Sequence, residues 1–492
     1  MIEEFCYEDF KHSDDKMVLI LLKNYIEFVE KRNLSMINGL LKNSFDTFRI
    51  DCKWYLDEAM TLPKNNSGYG SIEISPTSKK VIFNWQYDAE TLTFIQKSRV
   101  LNSLYGVTPD NVYIKVEGLS LISSSTVSGD NHEEYYVKRC VFSKIPFSNK
   151  QNFDELYLET TSSSAWLPIL SPYAITGNTI SGKISIEKSN IIFLGRFYYK
   201  DIPYRIRLEG RVIYPNNFEN NRSWKIKFIT DFIIKRENGI NDSLSIDLSQ
   251  RFANLLSIIL GPQQDIKSIN LLKDGSCQSV FPELHIVPNI IKYTQMEDYI
   301  FSFTSFSNSW NTVLDKWFNM NINFKLLVDD FLLTSCIYTS NENNLINLCQ
   351  GIDSFDTKPY KHLFKKIKDM INSLPENIIN ILKKNNNIIL RDYYKKLEHS
   401  KKDLLTYLRH QNIKSDDYIA ILACMIKDTR VYYMHGNLKK KLRVEDTENL
   451  KRLTNLFKFL VRCFILDQLG YDKLNRTEVS QYLCDLINPL PF

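Results

Sequence analysis

Near the C-terminus, in the stretch KDTRVYYMHGNLKKK at 427–441, Arg430 and His435 are separated by four residues. Histidine is the side chain whose ordinary pKa lets it take up and release protons near neutrality. Arginine holds a permanent charge on a planar fork of donors that suits phosphate oxygens. Cleaving an RNA backbone without a metal calls for both properties. One group must move protons at the 2′-hydroxyl or the departing 5′-oxygen, and fixed positive charge must meet the crowded phosphorus of the transition state. Lys439, Lys440, Lys441 and Arg443 follow, placed to hold flanking phosphates. Spacing alone does not decide the matter, because the helix dipole also favours cations at a helix C-terminus.

The segment from Tyr418 to Gly436 reads as one helix, with Ile419, Leu422, Ala423, Ile426 and also Tyr433 on its apolar stripe. Asp416 and Asp417 stand at its start, where acids suit the dipole. Five positions of an ideal helix turn through about 140° and rise about 7.5 Å, so Arg430 and His435 do not share a face. Gly436 lets the backbone leave the helix directly after the histidine. Two such helices meeting across a twofold axis could bring both arginines and both histidines into one cleft.

The wider chain has ordinary globular composition: 492 residues, 43% hydrophobic and 24% charged, with a net charge of +5. That length predicts two or three domains. The charge is unevenly spread. Residues 361–409 hold 12 Lys or Arg against 5 Asp or Glu, a local excess of 7 that could attract a polyanion, with Tyr393, Tyr394 and Tyr407 available to stack on bases. A solvated helical surface accounts for the same block. Nine scattered cysteines without a C-x-x-C pair read as reduced, buried thiols. The histidines show no metal-ligand spacing, so no metal and no cofactor are expected. The acidic start MIEEFCYEDF lacks a signal-peptide pattern and MVLILL is too short to span a bilayer. A cytoplasmic protein without membrane contact is expected.

Two textures divide the chain. From about 65 to 240, runs such as GSIEISP, KVIFNWQY, NVYIKVEGLSLI, YRIRLEGRVIY and WKIKFITDFII alternate or are β-branched, with turn residues between them. They predict an antiparallel sheet or sandwich, and the clean alternation of YRIRLEGRV predicts one wet face. LSQRFANLLSIILG predicts a helix ending at Gly261. After about 300 the apolar spacing becomes i, i+3, i+4. There Ser373 is read as an N-cap after a helix break, with Pro375 near the first turn, and the acids of VEDTENL open the last long helix. The fold class is therefore α+β. A β-rich region over 1–300, one domain or two, precedes an all-α domain over 301–492.

The run MIKDTRVYYMHGNLKKKLRVEDTENLKRLTNLFKFLVRCFILDQLG resembles the HEPN superfamily, particularly its ApeA-like branch. The likeness extends back through SWNTVLDKWF and ENNLINLCQGIDSFDT, covering roughly 305–475. RCVFSKIPFSNKQNFDELYLET and RFANLLSIILGPQQDIKSINLL resemble the ApeA-type N-terminal domain more loosely. The resemblance implies a HEPN helical bundle in which Arg430 and His435 are the catalytic pair. Asp353 takes the place of an acid late in the second helix, and Asp428 is a nearby polar candidate. It further implies a metal-independent endoribonuclease, homodimeric through this domain, acting on host RNA, with tRNA favoured, in antiphage abortive infection. Products with a 2′,3′-cyclic phosphate and a 5′-hydroxyl, and a phage-derived trigger at the N-terminal domain, are the corresponding expectations. One departure stands out. The residue after the motif arginine is commonly Asn in the family and is Val431 here. Tyr432 or Tyr433 could compensate by hydrogen bonding or by stacking on a base. The alternative is a module that dimerises and holds RNA or a nucleotide without cutting it. A third reading gives the function to the N-terminal part and leaves the helices to dimerise.

Overall fold

The computed structural model describes residues 48–55, 68–74, 79–85, 103–127, 130–147, 152–161, 166–167, 191–213, 227–261, 263–273 and 276–281. In the C-terminal part it describes 301, 303–306, 308–334, 339–356, 362–384, 401–414, 416–437, 439–440 and 442–487. The chain divides into two compact units. The first comprises Met1–Gly195, Pro203–Ala253 and Gln264–Gln295; the second comprises Arg196–Ile202, Asn254–Gln263 and Met296–Phe492.

Among the described residues twelve strands run through the β-rich part: β1 (Phe48–Tyr55), β2 (Gly68–Ile74), β3 (Lys79–Trp85), β4 (Ser103–Val107), β5 (Tyr113–Val127), β6 (Asp130–Ser143), β7 (Phe153–Thr160), β8 (Ile191–Tyr199), β9 (Ile202–Ile213), β10 (Lys227–Ile240), β11 (Ile266–Lys273) and β12 (Ser276–Phe281). Their order is β3-β2-β1-β4-β5-β6-β12-β11-β7-β10-β9-β8, and β3 also pairs with β6. That extra ladder, Lys80 opposite Tyr136 and Ile82 opposite Glu134, closes β1–β6 into a barrel. Closure removes the free edges of those six strands. The barrel interior takes alternate residues of each strand, among them Cys52, Trp54, Ile72, Val81, Ile114, Val116, Val137 and Phe142. The far half of β6 pairs with β12 through residues 140–143, and from there the sheet runs on as an open layer.

YRIRLEGRV lies in β9 and behaves as its alternation predicts. Tyr204, Ile206 and Leu208 are buried, while on the other face Arg207 forks between Glu155 (3.0 Å) and Glu209 (3.2 Å). Helix α1 (Asp242–Leu260) follows β10, and its Phe252 meets Phe232 edge-on at 4.6 Å. Gly261 ends α1 at a φ of +100°, where an L side chain would be strained.

The second unit is helical: α2 (Trp310–Phe318), α3 (Ile322–Leu333), α4 (Asn341–Phe355), α5 (Leu363–Asn372), α6 (376–384), α7 (Lys401–His410), α8 (Tyr418–His435), α9 (Thr447–Gln468) and α10 (Thr477–Ile487). Side-chain caps open four of them. Asn321, Ser340, Asp417 and Asp446 accept from the backbone N–H three residues on. Ser373 behaves otherwise than the sequence suggests. Its N–H and hydroxyl go back to the carbonyls of α5, so it terminates that helix rather than opening α6. Within this unit the N–H groups of Arg196 and Tyr198 donate to Asn311 Oδ1 (2.8 Å) and Asp315 Oδ1 (3.4 Å) of α2. Four helical residues rise about 6 Å, close to the roughly 6.6 Å of two strand residues, so side chains four apart match donors two apart.

The core of the helical unit centres on α8 and α9. In α9 all residues from Leu456 to Leu466 except Lys458 are buried, as in a helix packed on every side. Among the described residues no helix is long and apolar enough to cross a membrane.

Candidate active site

Helix α8 is built in two halves. Ile419 to Ile426 are eight consecutive buried residues, so the expected single apolar stripe is replaced by a helix enclosed on all sides. Tyr433, expected on that stripe, lies beyond the enclosed half. From Arg430 onward burial falls away, and Met434 and His435 are exposed. The helix stops because Gly436 adopts the left-handed conformation, φ +59°, with its N–H returning to the Tyr432 carbonyl at 2.7 Å. The enclosed half fixes the axis, and the last turns carry the polar groups outward. Each large apolar side chain so buried contributes about 1.5–3 kcal/mol.

Arg430 and Asp353 both lie near one buried thiol. Cys349, in α4, is pushed up to about 12 by burial, with the Arg430 charge pulling it down and Asp353 raising it further. Asp353 is exposed and pairs with Lys366, whose Nζ is 2.7 Å from Oδ1 and 2.9 Å from the Asp353 carbonyl oxygen. Among the described residues the buried Arg430 Nε has no hydrogen-bond partner.

Asp428 sits inside the protein, fully buried. Its Oδ2 accepts from the Tyr407 hydroxyl at 2.7 Å and from the Leu442 N–H at 3.4 Å, and Lys427 Nζ lies 2.9 Å from Oδ1. The neighbouring Thr429 accepts from the Val444 N–H at 3.0 Å and donates its own proton to the Met425 carbonyl at 2.8 Å. Two adjacent residues of α8 therefore pin both ends of 442–444, with Leu442 and Val444 buried as apolar pegs. Asp428 is thus enclosed within this chain, its carboxylate occupied by Tyr407, Leu442 and Lys427.

The basic turn after the motif is ordered by its own contacts. Asn437 Oδ1 accepts from the Lys439 N–H at 3.0 Å, a side-chain-closed turn. Lys439 is exposed and Lys440 half-buried, while Lys441 lies outside the described residues. Arg443 faces inward. Its guanidinium covers the Tyr432 ring at 5.4 Å, donates to the Lys440 carbonyl at 2.9 Å and pairs with Glu445. Tyr433 stands edge-on to Tyr432 with centroids 5.0 Å apart, and its hydroxyl donates to the Glu445 carbonyl at 3.4 Å. Burial, then Glu342, Tyr432, Glu445 and Asp446, hold the Tyr433 hydroxyl above its ordinary pKa, so it remains a protonated donor.

The rest of the basic block divides. Lys366 is consumed by Asp353, and Lys368 by Asp417 at 2.6 Å. Tyr407 gives its hydroxyl to Asp428. Lys361, Arg391, Tyr393, Tyr394, Lys395 and Lys396 lie outside the described residues. So do Cys6 and Cys336; the seven described cysteines are free thiols, six of them buried. Among the described residues no three His, Cys, Asp or Glu side chains are grouped to hold a metal ion. Sequence reasoning missed Thr429 and Cys349. The available signal was the apolar Leu442 and Val444 inside a basic run, two residues apart, as pegs of an anchored segment would be.

No curated protein and no solved structure matches this chain. A family model does match, and its span takes in α5 to α9 with most of α4, including Arg430, His435 and the residues that pin the turn behind them. That model is described as Apea-like HEPN and covers residues 346–474, and this part of the chain is similar to that family.

Proposed function

We propose that this protein is a metal-independent endoribonuclease, homodimeric through its helical unit, that cleaves host RNA in antiphage abortive infection, with tRNA the favoured substrate. The HEPN family takes in ribonuclease and nucleotide-binding roles linked to defence, and the narrower reading rests on α8. Its core-locked axis carries Arg430, whose buried Nε has no hydrogen-bond partner among the described residues, and an exposed His435 in its last turns, with Lys439 and Lys440 following in the chain.

In the proposed reaction His435 takes the proton of the 2′-hydroxyl, and the freed oxygen attacks the adjacent phosphorus. Arg430 balances the charge that gathers on the non-bridging oxygens. The bond from phosphorus to the 5′-oxygen breaks, and that oxygen collects a proton from the second imidazole of the dimer in its protonated form. A 2′,3′-cyclic phosphate and a 5′-hydroxyl result. Lys439 and Lys440 hold flanking phosphates, while Arg443 and Tyr433 serve by shaping the turn. Asp428 acts as a positioning residue, and Asp353 acts through its pairing with Lys366 beside Arg430. Because an unrestrained nuclease would destroy its host's RNA, the β-rich unit is assigned the sensing of a phage-derived trigger.

Purified protein incubated with total tRNA in EDTA tests the reading. Cleavage that persists in chelator and disappears in His435→Ala supports it. The second reading, binding without cleavage, is favoured by Val431 in a position where the family commonly has a polar residue. Intact RNA with retained binding by the wild-type protein would establish that module instead.

A further inference from the structure

On the outer face of the barrel, β1, β2 and β4 carry an open groove of about 630 Å³. Strand alternation sends Cys52 and Trp54 into the barrel and leaves Arg49, Asp51, Lys53 and Tyr55 on the groove side. Lys53 is registered opposite Tyr69 of β2 on one side and Val107 of β4 on the other. Its ammonium lies 5.5 Å from the centroid of the Tyr55 ring and 5.8 Å from that of Tyr69. Arg49 is partly neutralised by Glu73 at 3.2 Å and Asp51 at 3.7 Å. Lys53, by contrast, has no carboxylate partner among the described residues, and Tyr69 is 67% exposed.

A broad aromatic face held in water on a rigid strand, with a cation between it and a second ring, can grip a base by stacking and the next phosphate by charge. The lining sets the cations Arg49 and Lys53 among the rings of Tyr55 and Tyr69, the combination that meets a polynucleotide's phosphates and bases. The groove is also open, which fits a passing polymer better than an enclosed small molecule. We propose that the groove binds a short stretch of single-stranded polynucleotide, with bases on Tyr69 and Tyr55 and a phosphate on Lys53. This inference is independent of the nuclease reading, because none of its residues belongs to the helical unit.

The test uses the full chain carrying His435→Ala, to prevent cutting, and single-stranded ten-mers of RNA and of DNA containing 5-iodouracil. Photo-crosslinking mapped by mass spectrometry should place adducts on Tyr69 or Tyr55. Tyr69→Ala should remove them and weaken groove occupancy about fivefold or more, the loss of one base stack, while Tyr69→Phe retains both. Lys53→Ala should lower the salt dependence of groove occupancy by about one phosphate contact. Adducts from both polymers identify a stacking groove indifferent to the sugar, and adducts from RNA alone add recognition of the 2′-hydroxyl. Adducts confined to the helical unit, or unchanged in Tyr69→Ala, would overturn the proposal whether or not the protein cleaves tRNA.

Discussion

Tyr407 and Asp428 are joined by a 2.7 Å hydrogen bond between a tyrosine hydroxyl on α7 and a fully buried carboxylate on α8. The same carboxylate oxygen receives the Leu442 N–H, so one atom ties α7, α8 and the start of 442–444 together. A buried carboxylate is costly unless its lone pairs are occupied, which makes every donor at this point structurally consequential.

Removing the tyrosine hydroxyl should therefore cost more than a surface hydrogen bond. Tyr407→Phe keeps the ring and deletes one donor to a charged group, for an expected loss of about 1.5–3 kcal/mol in denaturant titration. Leu442 and Lys427 remain beside the carboxylate, so the fold should survive. A stability equal to wild type would show that Asp428 does not depend on this bond.

His435 should behave in the opposite way. It is exposed at the end of α8, so His435→Ala should change stability by no more than about 0.5 kcal/mol. Under the nuclease reading its tRNA cleavage should fall by about 10²- to 10⁴-fold, the usual worth of a general acid or base. Arg430→Lys keeps the charge and loses the fork, and it too should impair cleavage while leaving the thermal midpoint close to wild type. Unchanged turnover in both variants would remove the catalytic pair.

Several features could be read from residues alone, because they are local. Asp446 opening α9, Gly436 closing α8 and Gly261 closing α1 follow from backbone chemistry within a few positions. Barrel closure could not be read this way. It depends on β3 meeting β6 across an interval of some fifty residues, Lys80 opposite Tyr136, and alternation along either strand is the same in an open sheet as in a closed barrel. The enclosure of α8 was likewise hidden, since an apolar stripe and an apolar core helix differ only in how many neighbours arrive. Asp428 illustrates the limit for single residues. Beside a motif arginine an acid suggests chemistry, and only the arrival of Tyr407 and Leu442 shows what its carboxylate holds together.

Acid should act on the start of the motif helix. Burial alone would raise the Asp417 pKa, but bonds from Lys368 and the Ala420 N–H, with the charges of Lys368 and Lys383, bring it below the ordinary carboxylate value. A carboxylate depressed in the folded state adds stability above its unfolded pKa, about 3.9, and that stability is lost as pH falls through the folded value. Asp417→Asn retains capping ability but cannot titrate. Its deficit against wild type should be present at pH 7 and should shrink toward pH 3. A deficit that does not vary with pH would assign the effect to packing.

Thr429 separates anchoring of the basic turn from chemistry at the helix end. Its hydroxyl oxygen accepts the Val444 N–H at 3.0 Å, and Val444 follows directly on Arg443, whose guanidinium holds the Lys440 carbonyl. Thr429→Val preserves the shape of the side chain and strands that N–H in a buried place, while Thr429→Ser restores the acceptor. Losing a bond worth about 1 kcal/mol should loosen the turn that presents Lys439 and Lys440 and weaken RNA binding about fivefold. Since His435 lies on the other side of Gly436, KM should rise while kcat stays within about twofold, and Thr429→Ser should return KM toward wild type. If kcat falls and KM does not move, Thr429 supports the catalytic pair itself and the turn is held by Leu442 alone.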